Sequence, residues 1–330
     1  MGVKAVNGVV PVSPEEPLPV IEGSVECMRS LETPEDVDFS CIYVIDTEDA
    51  EEDDNVEFLQ RVEDDRVEVV VREPGEGRRA AAINRGLEEM EDPDHVAVFD
   101  VDTRVEEDFL EEAMEGFEED VVFVTGPRRI LNPDTNTVTK AVDTEFQFFS
   151  DMQRMLGKLR GFNHANGLIG MLDADYLMEE RLETGLLCSD TEFSERAYSD
   201  GKRMKMIPQM EIGEQAVTTS RDLYSQKLRW MTGAVEGLQR YTVQMARDAH
   251  PRVALTWFLT MVLPFFAAVF SPLTFGYAAV RYGKNPGEAV HRGLGFFILA
   301  WVISFAGAEA LAKNLSGRRV KWKVPEREKM

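Results

Sequence analysis

Short apolar runs rich in β-branched residues recur through the first hundred positions, each bounded by polar or acidic stretches. They are Gly8–Val12, Ser40–Ile45, Val67–Val71 and His95–Phe99. This pattern predicts strands. Each of the last three is followed by a helix-like or acidic stretch, the alternation of βαβ units around a mostly parallel sheet. The expected class is therefore α/β, with a ligand at the carboxyl ends of the strands. No internal repeat or low-complexity linker breaks the region.

A different pattern begins near His250-Pro251. Val253 to Val280 is a run of 28 residues without a charge, long enough for a hydrocarbon core of about 30 Å. Pro264 and Pro272 interrupt it, predicting a kinked span or a span followed by an interfacial turn. Gly293 to Ala312 is a second run of 20 residues, carrying only Glu309. The alternative is two buried helices of a soluble core, but such uncharged length exceeds the ordinary globular helix. The expected division is an α/β domain over 1–250 and a membrane segment over 251–330, with spans near 253–280 and 293–312.

Charge sharpens this division. The 330 residues carry a formal net charge of −24 with 44% hydrophobic residues, too apolar a composition for a disordered acidic tail. Beyond residue 250 there are eleven basic and four acidic residues, against 25 and 56 before it. A strongly negative first part argues against nucleic acid as a partner. The basic tail from Lys313, with Arg318, Arg319, Lys321, Lys323, Arg327 and Lys329, favours the cytoplasmic side, and two crossings place residues 1–250 there too. The connection through Arg281, Lys284 and Arg292 is also basic. Glu15, Glu16 and nearby prolines interrupt any apolar signal segment at the start. Only 11 of the 36 basic residues are lysine; with the acidity of 1–250, this suggests a high-salt cytoplasm that screens self-repulsion.

Candidate chemistry lies after the strands. The three cysteines and four histidines are too scattered for a disulfide framework or a zinc site. Carboxylates are better placed: Asp46 closes the second apolar run, and the fourth runs into Asp100-Val-Asp102. Two carboxylates at i and i+2 can address one hard cation, one touching the ligand and the other holding Mg2+ or Mn2+ against a diphosphate. In so acidic a chain an isolated pair of this kind is common, and its position after a strand is what singles it out. Pro74-Gly-Glu-Gly-Arg78-Arg79 leads into a small-residue helix, where a phosphate or uracil carbonyl would meet arginine and free N–H groups. Read plainly, it is a helix start with surface arginines. The dinucleotide fingerprint G-x-G-x-x-G is absent after the first strand, which disfavours a nicotinamide dehydrogenase.

Three later segments add to this set. Gly161 to Gly167 is a polar loop bounded by glycines. Asp190 lies in an acidic cap leading into a helix that stops at Gly201, where a plain N-cap is the simpler reading. Gln226, Arg229 and Trp230, at i, i+3 and i+4, share one helix face offering an amide, a guanidinium and an indole, suited to a phosphate and a stacked sugar. The same face also suits an amphipathic helix at a membrane surface.

In this order these residues resemble the family 2 glycosyltransferases, in particular the membrane-associated branch of cellulose, chitin and hyaluronan synthases. The resemblance runs from about Val9 to Trp230. It comprises Val-Val-Pro-Val-Ser-Pro-Glu, Val-Ile-Asp46, Arg79-Ala-Ala-Ala-Ile-Asn84, Asp100-Val-Asp102, the Asp190 segment and Gln226-x-x-Arg229-Trp230. It implies a GT-A nucleotide-binding domain followed by transmembrane helices, with Asp46 holding the uracil or ribose of the nucleotide. Arg79 matches the family's lysine position, Asp100 would contact the nucleotide-sugar and Asp102 would bind Mg2+ or Mn2+. Asp190 would be the general base, and Gln226, Arg229 and Trp230 would hold the diphosphate and acceptor sugar. Two departures stand out: arginine replaces the lysine at 79, and Cys188 and Ser189 replace the threonine and glutamate before the base. Met171 stands where relatives often carry arginine.

The activity this implies is inverting, metal-dependent transfer from a nucleotide-diphosphate sugar, foremost a UDP-sugar, to a lipid-linked or saccharide acceptor at the cytoplasmic membrane face. Alternatives are a processive polysaccharide synthase subunit and a degenerate, membrane-anchored sugar-binding protein. A nucleotidyltransferase is disfavoured, since Val12-Ser-Pro-Glu-Glu-Pro replaces a glycine-rich loop after the first strand. Two apolar segments cannot enclose a secretion channel within one subunit, which favours limited transfer. Oligomers are possible.

Overall fold

Apolar residues of both parities are buried along the central strands, so the sheet is covered on both faces. The computed structural model describes residues 3–75, 77–318 and 320. Four parallel strands run β3-β2-β1-β4: β1 (Lys4–Val12), β2 (Val37–Asp46), β3 (Val67–Arg72) and β4 (His95–Val98). They are the four predicted runs, extended at some ends. Beyond β4 the sheet continues through β8 (Gly170–Asp173), antiparallel to both neighbours, then β6 (Val121–Thr125) and β9 (Arg203–Met206). A second sheet, absent from the sequence reading, orders β5 (Arg104–Val105), β10 (Ile212–Glu214) and β7 (Arg128–Ile130).

Alternate residues feed two cores. Cys41, Tyr43 and Ile45 face one side, under α1 (Leu18–Ser30), α2 (Asp54–Arg61) and α4 (Phe109–Met114). Ile42 and Val44 face the other, under α3 (Arg78–Leu87), α6 (Ala174–Glu180) and α7 (Ser189–Ser199). Gly77 caps α3 at φ 86°, a left-handed conformation suited to glycine, so the expected glycine turn into a helix is present.

Two long helices flank this body: α5 (Thr137–Lys158) and α8 (Ser220–Asp248). A break at Ala249-His250 separates α8 from α9 (Pro251–Val262). A 3-10 turn over Leu263–Phe266 leads into α10 (Ala267–Tyr282), which contains Pro272. The chain then returns in α11 (Pro286–Leu315). The helical stretches Pro251–Tyr282 and Pro286–Leu315 are long and apolar enough to cross a membrane, with mean hydropathies of 2.1 and 1.9. Leu255, Phe258, Val269, Leu273, Val280 and Phe305 are exposed on them.

This hairpin is also fastened to the α/β body. Val253, Trp257 and Met261 of α9 belong to the core beneath α7. Arg292, buried at the head of α11, is 2.7 Å from Asp143 of α5. The Tyr224 hydroxyl of α8 donates to Glu309 of α11 at 2.5 Å. Of the basic tail, Arg319, Lys321, Lys323, Arg327 and Lys329 lie outside the described residues.

Candidate active site

The aspartates after β2 and β4 emerge at the carboxyl edge of the sheet, where the parallel topology puts a ligand cleft. Asp46, the last residue of β2, is paired in register with Arg72 of β3. That guanidinium grips its carboxylate with two bonds, Arg72 Nε donating to Asp46 Oδ1 at 2.7 Å. Beside it opens a cleft of about 520 Å3, lined by Pro14, Leu18, Thr47, Asp49, Asp53 and Asn55 among others.

Asp100 and Asp102 occupy a tight turn after β4. The Asp100 N–H donates to Thr103 Oγ1 at 3.0 Å, and the Thr103 N–H returns to the Asp100 carbonyl at 2.8 Å. Asp102 is buried. Asp100 meets Arg79 from the first turn of α3, whose Nε donates to Oδ1 at 2.6 Å. The other arm of Arg79 donates to the Gly167 carbonyl, also at 2.6 Å.

Gly167 is the junction of the site. It lies in the 3-10 turn Asn166–Leu168, where Gly167 and Leu168 both adopt left-handed backbone, φ 62° and 53°. Its N–H donates to Asp190 Oδ2 at 2.7 Å. Asp190 is not the N-cap of α7: that position is Cys188, and Asp190 is the second helical residue. Burial works to raise its pKa, but His164, Arg229, the Gly167 N–H and Arg79 outweigh it and hold the carboxylate below its ordinary range.

One edge of α7 stitches down the whole 161–167 loop. The Asn163 N–H donates to the Tyr198 hydroxyl at 2.9 Å, and the Ala165 N–H donates to Ser194 Oγ at 2.9 Å. His164 bonds Thr191 Oγ1 and Asn166 Oδ1, each at 2.8 Å. The polar residues 190, 194 and 198 recur every four positions, a pattern that could have linked helix to loop.

The Gln226-x-x-Arg229-Trp230 face is divided. Arg229 acts electrostatically on Asp190 and Cys188. Trp230 instead turns towards α5, with ring centroids 6.4 Å from Phe146 and 6.5 Å from Phe149. Gln226 lies beside Lys227, which the sequence reading passed over. Met171, the other noted departure, is fully buried in the sheet core.

Glu214 of β10 was also missed. It accepts from Arg128 Nη1 at 2.6 Å, and the second arm of Arg128 reaches the Asn166 carbonyl at 2.7 Å. Burial pushes Glu214 up to about 7; Arg128 opposes this, and the charges of Asp102 and Asp100 add to it. Negative charge is thus concentrated around the Asp100–Asp102 turn. Among the described residues no three His, Cys, Asp or Glu side chains gather to hold a metal by themselves. Two hard carboxylates completed by donor phosphates and water nevertheless suit Mg2+ or Mn2+.

Asp100 at the strand edge, held through Arg79 at one helix start, and Asp190 at a second helix start are therefore joined at one glycine. The family model described as "Glycosyltransferase like family 2" matches residues 26–233. The chain belongs to glycosyltransferase family 2. A search of the curated proteins finds no match. Among solved structures, the mannosyltransferase PcManGT from Pyrobaculum calidifontis, in complex with GDP-Man and Mn2+, has a TM-score of 0.66 at 17% identity. That match covers 95% of this chain and 88% of the mannosyltransferase. S. aureus TarS 1-349 has a TM-score of 0.52 at 12% identity, covering 96% and 93%. At these identities the likeness is one of fold. This glycosyltransferase has the GT-A architecture expected from its sequence, followed by two apolar helices.

Proposed function

We propose that this glycosyltransferase works at the cytoplasmic face of a cell membrane. It moves a sugar, with inversion, from a nucleoside-diphosphate donor to a lipid-linked or saccharide acceptor. The observation that carries the reading is the Gly167 junction, which joins Asp190 to Arg79 and, through it, to Asp100.

In this mechanism Arg79 and Asp100 hold the donor, with Asp46 and the neighbouring cleft taking the nucleoside. Asp102, with Asp100, would hold Mg2+ or Mn2+, which when bound supplies positive charge against the diphosphate. Arg229 places a guanidinium where charge develops on the leaving group. Asp190, ionised at neutral pH, receives the proton of the acceptor hydroxyl as its oxygen attacks the anomeric carbon. Gly167 and Thr191 N–H groups bind one lone pair on each carboxylate oxygen, and a carboxylate has about four such sites, leaving room for a hydroxyl. Attack opposite the leaving diphosphate inverts the anomeric centre.

The exposed apolar surface of α9–α11 supports membrane attachment, and the basic tail residues support the cytoplasmic side. Two apolar helices favour limited transfer over polymer secretion. The mannosyltransferase neighbour was solved with GDP-Man and Mn2+, so GDP-mannose joins the UDP-sugars as a donor to be tried. The deciding experiment is nucleotide release from UDP-glucose, UDP-N-acetylglucosamine, UDP-glucuronate and GDP-mannose, with Mn2+ and with chelator. Asp190→Asn should lower transfer by about 10²–10⁴-fold, the scale of general-base catalysis, while donor binding survives. Near-normal turnover by that variant overturns the mechanism.

A further inference from the structure

Lys227 lies within the Gln226–Trp230 segment yet is turned inward, and its side chain and that of Glu145 on α5 are each only 1% exposed. The ammonium donates to Glu145 Oε2 at 2.5 Å and stands 3.8 Å from the centre of the Trp230 ring. The same ammonium donates to Gln226 Oε1 at 3.4 Å. The second oxygen of Glu145 is buried with no hydrogen-bond partner. Phe146, the residue after Glu145, and Phe149 flank the same indole.

A buried ion pair contributes little net stability, because desolvating both charges offsets their attraction. Its physical effect here is orientation. A desolvated cation over an indole face is among the stronger cation–π contacts, and Glu145 holds that cation in place. The indole plane is thereby held by the ammonium and by two neighbouring phenyl rings tilted at 54° and 58° to it.

We propose that Glu145 and Lys227 are positioning residues for Trp230: the carboxylate holds the ammonium, the ammonium holds the indole plane, and the indole receives the acceptor sugar. This rests on the sugar transfer proposed above and on the acceptor contact that the family resemblance implies for Trp230.

Lys227→Met alone leaves Glu145 buried without its partner and risks unfolding. The informative variant is Lys227→Met/Glu145→Leu, which removes both charges at similar volume. It is compared with Lys227→Arg in the full-length protein, using an octyl glycoside as acceptor and whichever nucleotide-sugar the wild type turns over. The double variant should raise the acceptor KM about tenfold, the scale of one desolvated cation–π contact, while donor KM moves less than about twofold. Lys227→Arg keeps the cation and should stay close to wild type. Acrylamide quenching of Trp230, isolated by subtracting a Trp230→Phe protein, should increase in the double variant. Wild-type transfer together with an unchanged acceptor KM and unchanged quenching in the double variant overturns the positioning role alone. No transfer by the wild type overturns the functional reading, and the acceptor role of Trp230 with it.

Discussion

Gly167 touches Asp190 and Arg79 through the two peptide groups that flank its Cα, its N–H 2.7 Å from the Asp190 carboxylate and its carbonyl 2.6 Å from the guanidinium. The proposed base and the proposed donor-side cation therefore share one backbone residue. Displacing that residue should disturb both.

Gly167→Ala tests this directly. An alanine at φ 62° is strained by about 1–2 kcal/mol, and its Cβ would come within 3.1 Å of the Arg128 guanidinium. Transfer should fall by at least about tenfold, the loss expected when catalytic groups shift by a fraction of an ångström. Circular dichroism should show the fold retained. Unchanged kcat/KM would refute the junction.

Arg79→Lys retains the charge but cannot reach Asp100 and the Gly167 carbonyl together, since the planar fork is lost. Donor KM should rise by about tenfold, as for loss of a charge-assisted hydrogen bond. Acceptor KM should change little. Steady-state kinetics with each substrate varied in turn separate the two.

The pH dependence of Asp190 has a defined sign. Its folded pKa is below the ordinary value, so its contribution to stability is complete above about pH 4 and is lost as pH falls through the lower folded value. The acid limb of the transfer rate assigned to this base in the free enzyme should accordingly lie below the usual carboxylate range. A kcat/KM profile that titrates near pH 6 would assign the base elsewhere.

Glu195 behaves in the opposite way. It lies on α7 with its side chain buried, accepting from the Trp257 indole of α9 at 2.8 Å. Burial pushes its pKa up to about 8, with the nearby Glu192 adding to this and Trp257 and Arg240 opposing it. The folded chain keeps that proton while the unfolded chain releases it near pH 4.3, so stability should decline as pH rises from about 4.3 to 8. Glu195→Gln keeps an acceptor for the indole and should flatten the decline. Thermal midpoints of both proteins between pH 5 and pH 8 provide the comparison.

Salt should stabilise the protein if its acidic surface belongs to a saline cytoplasm. The thermal midpoint is expected to rise with KCl as self-repulsion is screened. A steady fall would remove the inference.

The central strands were legible because β1, β2 and β4 carry apolar runs buried on both faces, and β3, half-exposed at the sheet edge, is still rich in valine. Strands β5, β7 and β9 were not: Arg104–Val105, Arg128–Ile130 and Arg203–Met206 are short and each begins with arginine. The individual site motifs were likewise visible, but their convergence was not. Gly167 meets Asp190 across 23 positions and Arg79 across 88, separations that no local pattern encodes. The Arg72 grip on Asp46 depends on strand register, and Lys227 reads as a surface residue until its partner on α5 is in place.

The apolar hairpin does not begin where the α/β body ends. Trp257 and Met261 fill the same interior as Phe193 and Leu172, and the Trp257 indole is bonded to Glu195, on the same helix as Asp190. A fragment cut at residue 250 would therefore be hollowed out on the side that supports the proposed base. Studying this enzyme calls for the whole chain rather than scissors at the boundary its charge suggests.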